Sequence, residues 1–183
     1  MSDVIDILVD IDADSIMRDY HTISQDVDKP TYLPYPDNYI EMLTRSQDIE
    51  LLLSSQLKVK LDLSDSIRWR EVALTTTNLK YSSAISKCYR MGSSESHFFD
   101  MPDAKPVNFN YAKMVADNTT STLYPIAVMP QEARSYYIEL EVKRMPPAQS
   151  TPWEHYTFVV GIYRNGNLTG YISWNMAIVL DHR

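Results

Sequence analysis

The sequence predicts an all-β fold, an antiparallel β-sandwich of jelly-roll-like kind with one short helix after the first strand. Three observations predict it. Apolar side chains recur at every second position in short runs: Ile5, Ile7, Val9 and Ile11; Leu57, Val59, Leu61 and Leu63; Tyr136, Ile138, Leu140 and Val142. That period belongs to strands with one buried face. Two stretches rich in β-branched and aromatic residues flank Asn165-Gly166, the strongest short-range hairpin signal, because a type I′ turn needs positive φ at both central residues. Tyrosine is abundant (13) and glycine scarce (4), a bias toward pleated sheet. The 183 residues are read as one sandwich domain spanning 1–183.

The first strand covers residues 4–11, with its four aliphatic residues on one side and Asp6 and Asp10 on the other. Asp12-Ala13-Asp14-Ser15 then offers capping oxygens to a short helix through Ile16, Met17 and Tyr20. Asp10, Asp12 and Asp14 invite a calcium reading. An EF-hand loop, however, needs glycine at its sixth position and a bidentate Glu at its twelfth, where this chain has Ser15 and His21. The acidic series is therefore a solvated strand face running into a helix cap. Residues 21–37 form a loop, because Pro30, Pro34 and Pro36 deny ladder donors.

Strands follow at 38–44, 48–53, 57–63, 67–72 and 84–90. Residues 91–111 lack a period and contain Ser93, Ser94, Pro102 and Pro106, so they read as a long loop that is functional or packed by Phe98, Phe99 and Phe109. Pro125 and Pro130 bracket 126–129, so a strand there is short or at an edge. Residues 136–142 alternate cleanly, and 145–150 form a linker-like loop. With Asn165-Gly166 as a two-residue turn, Val159 faces Ile172, Tyr163 faces Leu168 and Thr157 faces Trp174. Gly161 then faces Gly170, opening a slot for a bulky group from a facing layer. Residues 177–180 close the sheet.

Charge and cysteine usage narrow the function classes. The formal net charge is −7, which opposes a phosphate backbone and an anionic bilayer, so neither nucleic acid nor a membrane is expected as partner. The start of the chain shows no basic n-region or long apolar core, so no signal peptide is expected and the location is read as cytoplasmic. The one cysteine, Cys88, forms no intrachain disulfide and reads as a small packed hydrophobe. His21, His97, His155 and His182 lack metal-ligand spacing, and no nucleophile–base pair stands out, so no metal, cofactor or catalytic residue is expected.

Four segments recur in an order that carries a resemblance. They are Val4-Ile5-Asp6-Ile7-Leu8-Val9-Asp10-Ile11-Asp12, Pro30-Thr31, Ser64-Asp65-Ser66-Ile67-Arg68-Trp69-Arg70, and Leu168-Thr169-Gly170-Tyr171-Ile172-Ser173-Trp174. Together they resemble the AidA/PixA family of bacterial inclusion body proteins over nearly the whole chain. The chain departs from that pattern at Ser64, where the family generally has Gly, and at Asn175-Met176, which replaces Asp-Pro. The resemblance implies a non-enzymatic protein that accumulates as crystalline cytoplasmic inclusions, some members being methionine-rich and some under quorum control. It implies no catalytic residues. The 9 methionines suit such a protein, although locally they read as pliable core filling.

Two candidate sites follow. Arg68 and Arg70, with Trp174, form the ligand-binding candidate, since guanidinium forks and an indole face recognise sugars or acidic groups. Alternation sends Arg68 and Arg70 to the face opposite Trp69, which favours a core tryptophan and arginines paired to carboxylates. Tyr32, Tyr35 and Tyr39 in the proline-bearing loop are the self-association candidates, because tyrosine supplies contact area at low entropy cost. The leading expectation is a structural or storage protein whose partner is itself, as oligomer or lattice. The alternative is a lectin-like carbohydrate-binding module.

Overall fold

The computed structural model describes residues 2–74, 80–92, 97–114, 128–147, 150 and 152–182. The chain runs β1 (Val4–Asp12), α1 (Ala13–Tyr20), β2 (Thr31–Tyr32), a 3-10 turn (Pro36–Asn38), β3 (Ile40–Thr44), β4 (Ile49–Leu52) and β5 (Gln56–Lys60). It continues through β6 (Ser66–Leu74), β7 (Tyr81–Arg90), β8 (Asp103–Met114), β9 (Val128–Glu141), β10 (Trp153–Arg164) and β11 (Asn167–Asp181). One sheet has the order β3-β1-β6-β9-β8; the other has β4-β5-β11-β10-β7, with β2 also pairing β11. The fold is an all-β sandwich with one short helix.

Pairing is mixed rather than antiparallel throughout. β1 lies parallel to β6, and β11 lies parallel to both β5 and β2. A parallel pair requires a long crossover. Between β1 and β6 that crossover is built from α1 and β2 through β5, and alternation within a strand carries no trace of it.

The core forms where the alternating rows meet. Ile5, Ile7, Val9 and Ile11 of β1 and Ile67 and Trp69 of β6 face Tyr156, Phe158, Val160 and Ile162 of β10 and the inward row of β11. Phe158 stacks on Trp174 with ring centroids 5.2 Å apart and meets Trp69 edge-on at 5.7 Å. α1 starts as its capping residues direct: the Asp12 carboxylate accepts the Ser15 N–H at 2.9 Å, and Ala13 and Ile16 are buried. Leu63, expected inside, is exposed, because β5 ends at Lys60 and the chain turns before it. Cys88 is largely enclosed, and burial pushes its thiol well above the usual range.

The final hairpin turns as predicted, with φ +50° at Asn165 and +79° at Gly166. Arg164 pairs with Asn167 and Tyr163 with Leu168, but the register then shifts by one. Below the bulge at Thr169, Val159 faces Ser173, Thr157 faces Asn175, Gly161 faces Tyr171 and Gly170 faces Ile162. The expected Gly161–Gly170 slot therefore does not exist. Gly170 instead admits the passing loop: a Cβ there would stand 2.6 Å from Ile23 Cγ1 and 2.7 Å from the Ser24 carbonyl oxygen. That carbonyl accepts the Tyr171 N–H at 2.6 Å. The bulge and the loop crossing belong to one arrangement.

Other expectations change for topological reasons. Residues 103–111, read as loop, lie in β8 despite Pro106, since β8 is an edge strand and can spare a donor. Pro130 lies within β9, in a part that, among the described residues, pairs only with β8. Residues 177–180 continue β11 rather than forming a separate strand. Ser93, Ser94, Pro125, residues 126 and 127 of the expected 126–129 strand, and Ala148 and Gln149 lie outside the described residues.

The two sheets are also tied by polar groups. Glu71 of β6 accepts the backbone N–H of Ile85 on β7, and the Tyr136 hydroxyl of β9 donates to the Ile85 carbonyl at 2.5 Å. Burial raises the Glu71 carboxyl above its ordinary value of 4.5.

Candidate functional site

Strand alternation determines what the first sheet shows to solvent. Val4, Asp6 and Leu8 of β1, Leu43 of β3, and Arg68, Arg70 and Val72 of β6 stand on its outer face. Arg68 Nε donates to Glu139 Oε2 at 2.5 Å, and its guanidinium lies 4.6 Å from the Tyr137 ring centroid. Arg70 reaches Asp6 more loosely, at 3.5 Å. Beside Arg70, the side chains of Val4, Leu8 and Leu43 with Arg45 line an open groove of about 720 Å³.

Trp174 is on the other sheet and completely enclosed, stacked on Phe158. The structure therefore brings Arg68 and Arg70 onto one face and leaves Trp174 in the interior. The three residues do not form one site. Trp69 and Trp174 are both fully buried and pack against Phe158 from two directions.

The tyrosines also separate. Tyr32 is 51% exposed and Tyr35 72%. Tyr39 is built into the scaffold: its ring meets Tyr20 edge-on at 5.9 Å and its hydroxyl donates to Asp19 Oδ2 at 3.1 Å. Desolvation and that carboxylate raise its hydroxyl above the ordinary value. The segment bearing Tyr35 is pinned by Asp37, whose carboxylate accepts the Ser54 N–H at 3.0 Å and the Ser54 hydroxyl. Next to it lies a cavity of about 420 Å³ whose acidic lining comes from Asp10, Asp12, Asp37 and Glu41. Asp12 and Asp37 are already committed, to the α1 cap and to Ser54. Among the described residues, no group of three His, Cys, Asp or Glu is placed to hold a metal ion.

Two features escaped the sequence reading. One is a buried ion pair. Arg90 Nε lies 3.1 Å from Glu154 Oε2, with the two side chains 7% and 6% exposed. The Tyr156 hydroxyl donates to the same carboxylate at 2.5 Å, and the Phe98 and Phe99 N–H groups donate to its other oxygen. Arg90 Nη2 donates to the Phe99 carbonyl at 2.5 Å and the Asp100 carbonyl at 2.8 Å. The pair thus sews residues 98–100 onto the second sheet. Its one sequence signal is that Glu154 stands in phase with Tyr156 and Phe158, a carboxylate on the inward row.

The other feature is a projecting ribbon. β9 pairs with β6 only through Ile138–Glu141, whereas it pairs with β8 along the whole of that strand. Residues 105–114 and 128–137 therefore run on as two paired strands beyond the part of β9 that pairs with β6. Phe109 (44%), Tyr111 (41%) and Met129 (51%) are exposed on one face of the ribbon, and the Phe109 and Tyr111 rings lie 6.3 Å apart.

Comparison with known proteins places this architecture. The family model described as inclusion body protein, PixA, matches residues 3–180. Among solved structures, the crystal structure of an inclusion body protein (PixA) from Burkholderia cenocepacia J2315 is similar, with a TM-score of 0.69 at 19% identity, covering 98% of this chain and 97% of that one. At that identity the likeness speaks for the fold. No curated protein matches.

Proposed function

The chain belongs to the PixA inclusion body protein family, and on that premise we propose that it is a storage or structural protein that self-associates into ordered, crystalline cytoplasmic inclusions. The family match over residues 3–180 is the observation that carries this reading. The work of such a protein is packing rather than turnover, so its functional residues are surface residues. Tyr32, on β2, and Tyr35, beside the turn pinned by Asp37, suit that role by their exposure; Tyr39 is held in the scaffold by Tyr20 and Asp19. The methionines fit an inclusion protein with an adaptable core and surface.

With a net charge of −7, copies repel at distances up to about a Debye length, ~10 Å at 0.1 M salt. Ordered assembly therefore rests on directional short-range contacts rather than on nonspecific collapse. The carbohydrate-binding alternative loses its tryptophan, since Trp174 is enclosed.

Thin-section electron microscopy of cells making the protein, with sedimentation of the purified chain near neutral pH, tests the proposal. Lattice-bearing bodies and a defined oligomer are expected. A protein that stays dispersed in cells and strictly monomeric at high concentration would overturn it.

A further inference from the structure

A sandwich of two open sheets has four edges, and each edge presents unpaired backbone groups to any strand that meets it. Three of the four are managed here. β3 has five residues and β4 has four, and Glu50 on β4 is ion-paired with Lys58 and Lys60. β7 is longer, but α1 lies against it and Glu71 and Tyr136 bond to its Ile85 backbone. β8 is different. It spans twelve residues and, among the described residues, pairs only with β9; every side chain from Asn108 to Lys113 is exposed. Its central run, Val107-Asn108-Phe109-Asn110-Tyr111-Ala112, is uncharged, free of Pro and Gly, and alternates amide with aromatic. That is the composition of segments that pair with copies of themselves.

We propose that β8 is the contact through which a second copy of this chain joins, edge to edge and antiparallel about a twofold axis at Asn108. The inference rests on the self-association reading above and names its interface. The register follows from complementarity. Asp103 and Lys113 each lie five residues from Asn108, so pairing centred there sets Asp103 opposite Lys113 of the second copy, and the reverse. On the same face Lys105 meets Tyr111 and Val107 meets Phe109; on the other, Asn108 meets Asn108 and Ala104 meets Ala112. Sliding by one pleat in one direction sets Lys105 against Lys113, and parallel pairing sets like charges together, which disfavours both. Asp103 now rests against Lys105 at 2.7 Å as an exposed pair, easily exchanged. Pro106 meets Asn110 of the second copy, so the ladder lacks the residue-106 donor once on each side of the axis, and the Asn108–Asn108 and Ala104–Ala112 pairs are untouched by it. A closed twofold contact of this kind joins two sheets into one continuous sheet.

The test compares the full-length protein with three variants by sedimentation, by inclusion formation and by thermal melting. Asn108→Lys, which opposes two ammonium groups at the axis and stands across from Arg134 on β9, should abolish the dimer while the monomer still melts in a single cooperative transition. Lys113→Asp should weaken association by about tenfold or more, and Asp103→Lys combined with Lys113→Asp should restore it. An oligomer that forms equally well in Asn108→Lys and Lys113→Asp overturns the β8 contact and leaves the storage reading standing. A parent protein that never associates overturns both.

Discussion

Replacing Glu154 tests whether the buried pair with Arg90 holds residues 98–100 to the sandwich. Glu154→Gln keeps the volume and the hydrogen-bonding oxygen but removes the charge that faces Arg90 Nε across 3.1 Å. With both side chains at or below 7% exposure, the uncompensated guanidinium is not rescued by solvent, and breaking such a pair costs about 3–5 kcal/mol. Glu154→Ala adds unpaired Phe98 N–H and Tyr156 hydroxyl groups, each costing about 1–3 kcal/mol. Against a total stability of about 5–15 kcal/mol, the alanine variant should be severely destabilised at ambient temperature.

The assay is urea unfolding followed by tryptophan fluorescence, which reports on the enclosed Trp69 and Trp174. For Glu154→Gln, a loss near 4 kcal/mol at a slope of about 2 kcal/mol/M moves the midpoint down by about 2 M. Limited proteolysis should cut near residues 98–100 earlier than in the parent. The double replacement Arg90→Met with Glu154→Leu should recover much of the loss, because an apolar pair needs no counter-charge. A Glu154→Gln midpoint within about 0.3 M of the parent, below about 1 kcal/mol at that slope, would refute the reasoning.

Three further outcomes are expected. Gly170→Ala should cost about 1–3 kcal/mol or more in thermal or urea melts, since its Cβ meets the Ser24 backbone at 2.7 Å; Gly161→Ala, whose nearest neighbours are the Tyr163 ring and Ser86 Oγ at 3.1–3.2 Å, should cost less. Ser64 holds φ +71°, a region costly to a residue with a Cβ, so Ser64→Gly should raise stability by about 0.5–1 kcal/mol, read as a higher melting temperature. Glu71 binds its proton more tightly folded than unfolded, so its contribution is complete below 4.5 and is lost as pH rises through the elevated folded value. Glu71→Gln should therefore flatten the fall in melting temperature over that window, and an unchanged pH profile would count against the burial of this carboxyl.

The elements that could be read from the sequence are those whose causes are local. β1 follows from four aliphatic residues at period two, α1 from the Asp12 cap, and the last turn from Asn165-Gly166, because φ preference and side-chain parity act within a few residues. Of the candidate residues, the burial was legible in part: alternation separated Arg68 and Arg70 from Trp69, and Tyr32 and Tyr35 of the proline-bearing segment are exposed, although Tyr32 lies on β2 rather than in the loop expected over 21–37.

What escaped the sequence depends on partners far along the chain. Arg90 and Glu154 lie in strands that become neighbours only when the second sheet assembles. The parallel pairing of β1 with β6 is a matter of crossover path, and the bulge at Thr169 arises where the Ser24 backbone crosses Gly170. Whether Trp174 faced a ligand or the core, and whether the prolines at 106 and 130 broke a strand or merely marked an edge, was likewise decided by sheet order. By itself the sequence determined the fold class, the strands with one apolar face and the turn that joins β10 to β11. The tertiary structure decided register, edge and burial, because those depend on which distant surface removes a residue from water.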